Sequence, residues 1–101
     1  MFEELCGGPR SAFDYVELAK LYRTVFLSGV PVLAEEANDS ARRFVNLVDE
    51  LYDRRVRLIM TAEADVHHLY HGRSLAFEFE RTQSRLMEMR SRDYLGREHL
   101  L

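Results

Sequence analysis

Two short apolar runs, "TVFLSG" (Thr24 to Gly29) and "VRLIMTA" (Val56 to Ala62), flank the strongest helical period in the chain. That period sets Ala41, Phe44, Val45, Val48, Leu51 and Tyr52 on one side of a helix. Asn38, Asp39 or Ser40 is placed to cap its start. Glu50 and Arg54 form a well-oriented i,i+4 pair on its outer side. Runs of consecutive large apolar residues suit short strands buried on both faces. Two strands joined by a long helix make a crossover, and a crossover implies parallel pairing. The expected fold class is α/β, a small parallel sheet with flanking helices.

The rest of the chain fits around that unit. "CGGPR" (Cys6 to Arg10) reads as a turn, with Ser11 offering a cap and Asp14 a first-turn charge to a helix. Tyr15, Leu18, Ala19 and Tyr22 give that helix its apolar stripe. Pro31 ends the first strand, because it has no N–H for a ladder. Asp65 caps a short helical turn, "VHHLYH", that stops at Gly72. "LAFEF" alternates enough for an extended edge segment, and "TQSRLMEMRSRDYL" reads as a closing helix. Residues 1–101 therefore make one α/β domain or a fragment of one. So few strands cannot form a parallel sheet covered on both faces. Apolar surface around Val25, Leu27, Leu58 and Met60 is expected to remain open, or to be covered by a protein partner or a second copy.

Composition narrows the partners. A net charge of −3, with acids interleaved among 14 basic residues, gives no reason to expect nucleic acid. No apolar run reaches the roughly 20 residues of a membrane span. The one cysteine, Cys6, suits a reducing compartment and excludes an internal disulfide framework, so a cytoplasmic location is expected.

Three blocks of the sequence carry a family likeness: "FEELCGGPRSAFDYVELAKLYRTVFLSGVPVL", "ARRFVNLVDELYDRRVRL" and "FEFERTQSRLMEM". In this order and spacing they resemble the C-terminal part of the AFG-type P-loop ATPases, over Phe2 to about Tyr94. That group includes bacterial cell division ATPases and mitochondrial AFG-like ATPases. The resemblance implies the C-terminal portion of a P-loop (AAA-like) domain that binds ATP and magnesium through a Walker A loop and a Walker B acid. This sequence holds no G-x-x-x-x-G-K-[ST], and its only Gly-Gly pair is followed by Pro-Arg. The chain is thus expected to have no catalytic residues, no cofactor of its own and no turnover. It would act as a structural or partner-binding module. The alternative is a free-standing interaction domain that docks on a full-length ATPase.

Nucleotide-triphosphate chemistry uses arginines to stabilise charge on the γ-phosphate. Arg42 and Arg43, at the start of the helix after the first strand, are candidates, because cations are unfavourable at that end. Pairing with Asp39 or Glu36 is the structural alternative. Arg85, in "RTQSRLMEM", resembles the family's late arginine, a candidate nucleotide-sensing or trans-acting group. Its alternative is an exposed helical arginine near Glu88. Glu63, His67 and His71 share a spacing that could suit zinc, but the pattern is not H-E-x-x-H and no metal site is expected. Asp14, Asp49 and Asp53 pair no acid with a base as hydrolysis requires. Ser28 and Thr61 come at the carboxyl ends of the two strands, the edge where open α/β sheets bind ligands. Hydroxyls there also end strands by satisfying backbone groups.

Overall fold

A computed structural model describes residues 2–8 and 12–100. Helix α1 (Phe2–Cys6) and helix α2 (Ala12–Leu21) precede strand β1 (Thr24–Val30). A single 3-10 turn leads into helix α3 (Asn38–Asp53), which returns the chain to strand β2 (Arg57–Ala62). Helix α4 (Ala76–Glu88) and the short helix α5 (Arg92–Leu95) follow. The two strands pair in parallel, as the strand–helix–strand pattern requires, with Val25 opposite Leu58 and Phe26 opposite Ile59. An isolated parallel bridge between Leu33 and Tyr70 extends the pairing beyond the strands.

The core is organised by α3, whose Ala41, Phe44, Val45, Leu47, Val48 and Leu51 are all buried. Phe44 lies between Phe2 of α1 and Phe79 of α4, at ring-centroid distances of 5.9 and 6.0 Å. Such a run of aromatic contacts adds to the area each ring buries. At the end of α3 the N–H of Arg55 donates to Tyr52 and that of Val56 to Leu51. This is the Schellman pattern, with Arg55 left-handed at φ 59° and Val56 packed beneath.

The sheet departs from expectation in which face is covered. Val25 and Leu27, expected at the open surface, are buried with Val30 in the core. Phe26 and Ile59 on the opposite face are 60% and 54% exposed instead. The cause is the two-residue period of a strand: covering one face fixes every alternate side chain. The strands are therefore not buried on both faces. Leu58 and Met60 are half-buried.

Three local expectations also change. "LAFEF" lies at the start of α4, because Leu75, Phe79, Thr82 and Leu86 follow the helical period and are buried, while Phe77 points outward. "VHHLYH" forms one 3-10 turn, Val66–His68, and then the bridge at Tyr70. The closing helix is broken after Glu88, and Ser91 caps α5 by accepting from the N–H of Tyr94 at 3.1 Å. Helix α3 starts without a side-chain cap, at Ala37, because Asn38 is engaged elsewhere. Asn38 Nδ2 donates to the Glu35 carboxylate at 3.0 Å, and Asn38 Oδ1 accepts from the Tyr70 hydroxyl at 3.0 Å. The expected cap at Ser11 lies outside the described residues.

Candidate functional site

At the carboxyl edge of the sheet, β1 carries an extra residue between Leu27 and Val30, with Gly29 at φ 75°. A side chain there would be strained in this left-handed conformation. The Gly29 N–H donates to the Thr61 hydroxyl at 2.9 Å, and the Val32 N–H donates to the Glu63 carboxylate at 2.9 Å. Thr61 thus satisfies a backbone group. A phosphate cradle needs converging backbone N–H groups, and those of Gly29, Val32 and Glu63 at this edge are already taken. The donor set does not fit a triphosphate and its magnesium. Among the described residues, no three His, Cys, Asp or Glu side chains gather as metal ligands do. His71 lies beyond the 3-10 turn that holds His67, and its Nε2 donates to the carbonyl of His68 at 2.9 Å.

The three candidate arginines are not brought together. Arg42 is exposed on α3 and makes no ion pair among the described residues. Arg43 turns back toward α1, where its Nη1 donates to the carbonyl of Cys6 at 3.1 Å. Asp39 and Glu36 take neither. Arg85 is held by Asp49 of α3 through a short ion pair, with Arg81 reaching the same carboxylate at 3.3 Å. Its guanidinium also lies 4.9 Å from the Tyr52 ring centroid, a cation–π contact. Glu88, the expected neighbour of Arg85, instead accepts from the Tyr52 hydroxyl at 2.7 Å and pairs with Arg97 at 3.6 Å. That hydrogen bond, with burial, holds the Tyr52 hydroxyl above its ordinary pKa.

Sequence reasoning missed the Glu35 hub. Its carboxylate accepts from the N–H of Arg73 at 2.6 Å and of Ser74 at 3.3 Å, from the Ser74 hydroxyl and from Asn38. These donors, the Ser74 hydroxyl first, hold its carboxyl down at about 2. Gly72 is required beside it, since an added Cβ would meet the Tyr70 hydroxyl at 2.3 Å. The hub joins the start of α3 to the turn before α4. Cys6 is buried, which pushes its thiol up to about 11 and makes it a poor nucleophile.

An apolar surface open to solvent runs along the uncovered sheet face. Phe26 and Ile59 lie side by side there, with Leu95 of α5 at their margin. At the free edge of β2, Leu58 and Met60 of the core-side face join Leu86 and Met89 in lining a groove of about 300 Å³ that also reaches Ile59 and Leu95. Among the described residues, no helix is long and apolar enough to cross a membrane.

Residues 1–98 match the family model described as AFG1-like ATPase. Cell division protein ZapE of Escherichia coli K12 is 48% identical over 99 residues, covering 98% of this chain and 26% of ZapE. The lactation elevated protein 1 homolog B of Danio rerio is 39% identical over 88 residues, 87% of this chain and 18% of that protein. An uncharacterized Schizosaccharomyces pombe protein, C115.02c, is 42% identical over 69 residues, 68% of this chain and 15% of that one. The chain thus spans about a quarter or less of the length of these curated relatives. No solved structure matches it significantly.

Proposed function

Because the chain belongs to the AFG1-like ATPase family, we propose that it is the C-terminal module of such an ATPase, completing the sheet without turning over ATP itself. The open apolar face carries this reading. Parallel sheets are normally covered on both faces, and here Phe26 and Ile59 face solvent on a two-strand sheet. The remainder of an AFG1-like ATPase is the cover proposed for it, and that remainder would hold ATP and magnesium. The occupied N–H groups at the carboxyl edge and the missing phosphate-loop motif support the absence of turnover in this chain.

Arg42 is the arginine best placed to serve a nucleotide across a boundary, since it is exposed and unpaired among the described residues. Arg85 would first have to leave Asp49, and Arg43 the carbonyl of Cys6. ZapE is by name a cell division protein. A part in division would come to this chain through the intact ATPase, working in the cytoplasm.

The test has two stages. The purified chain is titrated with labelled ATP and assayed for phosphate release, then mixed with an AFG1-like ATPase truncated of the matching segment. The expected result is no turnover alone, and a complex with the truncated ATPase that Phe26→Lys or Ile59→Lys weakens. Turnover by the chain alone, lost in Arg85→Ala, overturns the reading. Equal binding to the untruncated ATPase favours the free-standing interaction domain.

A further inference from the structure

The opposite edge of the sheet, where the strands begin, carries a cleft that the reading above leaves unused. Its volume is about 520 Å³, and its lining includes Arg23, Thr24, Arg55, Arg57, Arg97 and His99. Among the described residues, Glu98 is the one carboxylate in that lining. The sequence carries a net charge of −3, so this concentration of positive charge runs against the balance of the whole chain.

The backbone sets these groups there. The N–H of Arg57 donates to the carbonyl of Arg23 at 2.8 Å, so Arg23, just before β1, neighbours Arg57, the first residue of β2. Arg55 sits in the left-handed position that closes α3, where glycine is usual. A non-glycine residue there is strained, and strain of this kind gathers at functional positions. The C-terminal segment forms the other wall. The Leu100 N–H donates to the carbonyl of Arg54 at 2.9 Å, and His99 Nε2 donates to the carbonyl of Ala19 at 2.6 Å.

Arg23 and Arg55 make no ion pair among the described residues. Arg57 spends one nitrogen, Nη2, on the carbonyl of Leu95 at 2.8 Å and makes no ion pair among those residues either. Arg97, by contrast, is taken by Glu88 and Asp93. Three guanidinium forks are thus left with donors to spare, and such forks match carboxylates and phosphates two bonds at a time.

We propose that this cleft docks an acidic peptide segment of a partner protein, its carboxylates gripped by Arg23, Arg55 and Arg57. Two other anions fit less well. A phosphate chain would meet the same guanidinium forks but without the converging backbone N–H groups of a phosphate cradle, since those of Arg57, Gly96 and Arg97 are bonded within the fold. A nucleic acid backbone would run past the cleft onto a chain with 17 acidic residues. The cleft meets the apolar face at Thr24 and Arg57.

The test is fluorescence anisotropy with the full chain and a labelled Glu/Asp-rich hexapeptide at low salt. Its Gln/Asn counterpart, pyrophosphate and a short single-stranded DNA serve as the other probes. The acidic peptide should bind saturably, at least tenfold tighter than its neutral counterpart, and weaken as salt rises. Arg55→Gly and Arg23→Gln should each weaken it severalfold, and Arg90→Gln, outside the cleft, should leave it unchanged. Arg55→Gly relieves backbone strain and should melt no lower than the parent chain, so its loss of binding cannot come from unfolding. Binding of the acidic peptide that is no tighter than the neutral one, or that survives both cleft substitutions, overturns the proposal. So does tighter binding of pyrophosphate or DNA at the same residues.

Discussion

β1 and β2 are alike in apolar content and unlike in cover. Val25, Leu27 and Val30 of β1 are fully packed into the core, whereas β2 has no buried residue and only half-shelters Leu58 and Met60. Hydrogen bonding does not separate them, since they share one ladder. What differs is the material above each strand. The inward residues of β1 join the cluster built on α3, while those of β2 face a groove toward α4 and α5. Apolar residues make a strand eligible for burial, and neighbouring elements decide whether burial happens.

The sharpest way to break this contrast is to shorten one side chain in each strand. Leu27→Ala should cost about 2–5 kcal/mol by urea denaturation, because a fully enclosed leucine leaves a cavity. Met60→Ala should cost less than half as much. Equal losses would mean that β2 is as enclosed as β1.

The turn into β2 gives a smaller effect of opposite sign. Arg55→Gly should raise stability by about 0.5–1 kcal/mol, since glycine holds the left-handed conformation without the Cβ clash. A loss would show that the arginine side chain stabilises the turn more than its backbone strains it.

The turn after β1 should respond to acid. The Glu35 carboxyl is held at about 2 against an ordinary 4.5, so its contribution is complete above about 4.5 and fades as pH falls toward about 2. Glu35→Gln should therefore melt below the parent at pH 6, with the gap closing across that window. Because Glu35 is exposed, the gap should be modest. A gap that persists at pH 2 would assign the hub's worth to shape instead of charge.

The smallest change belongs to the open face. Ile59→Lys should alter the stability of the isolated chain by no more than about 0.5 kcal/mol, while reducing binding of a hydrophobic dye. A large destabilisation would show that the face is already covered, by a second copy.

The parts of this fold legible in the sequence are those with a local cause. Ala41 through Leu51 announce α3 because a long helix against a core repeats its apolar residues. Parallel pairing follows from the crossover. The facing of β1 was hidden, because "TVFLSGV" is apolar on both sides and either parity satisfies the pattern. "LAFEF" fits both periods, and only the stacking of Phe79 on Tyr70 and Phe44 selects the helix. Helix α1, at five residues, is too short to show a period. The candidate arginines were found by type, but their partners were not. Asp49 lies 36 residues from Arg85 and the Cys6 carbonyl 37 from Arg43, and no local rule reaches that far.

The extra residue in β1 bears on how the strand tolerates changes in length. Leu27 pairs with Met60 and Val30 with Ala62, so three steps along one strand match two along the other. Deleting Gly29 would restore equal counting and still leave Val25, Leu27 and Val30 pointing inward, with Val30 opposite Ala62. Deleting Phe26 instead would turn Val25 outward relative to Leu27, or force the whole pairing to slip by one. The strand therefore has one stretch, Ser28 and Gly29, where a residue can be removed without reversing which side chains meet the core, and it holds the residue whose backbone is already left-handed.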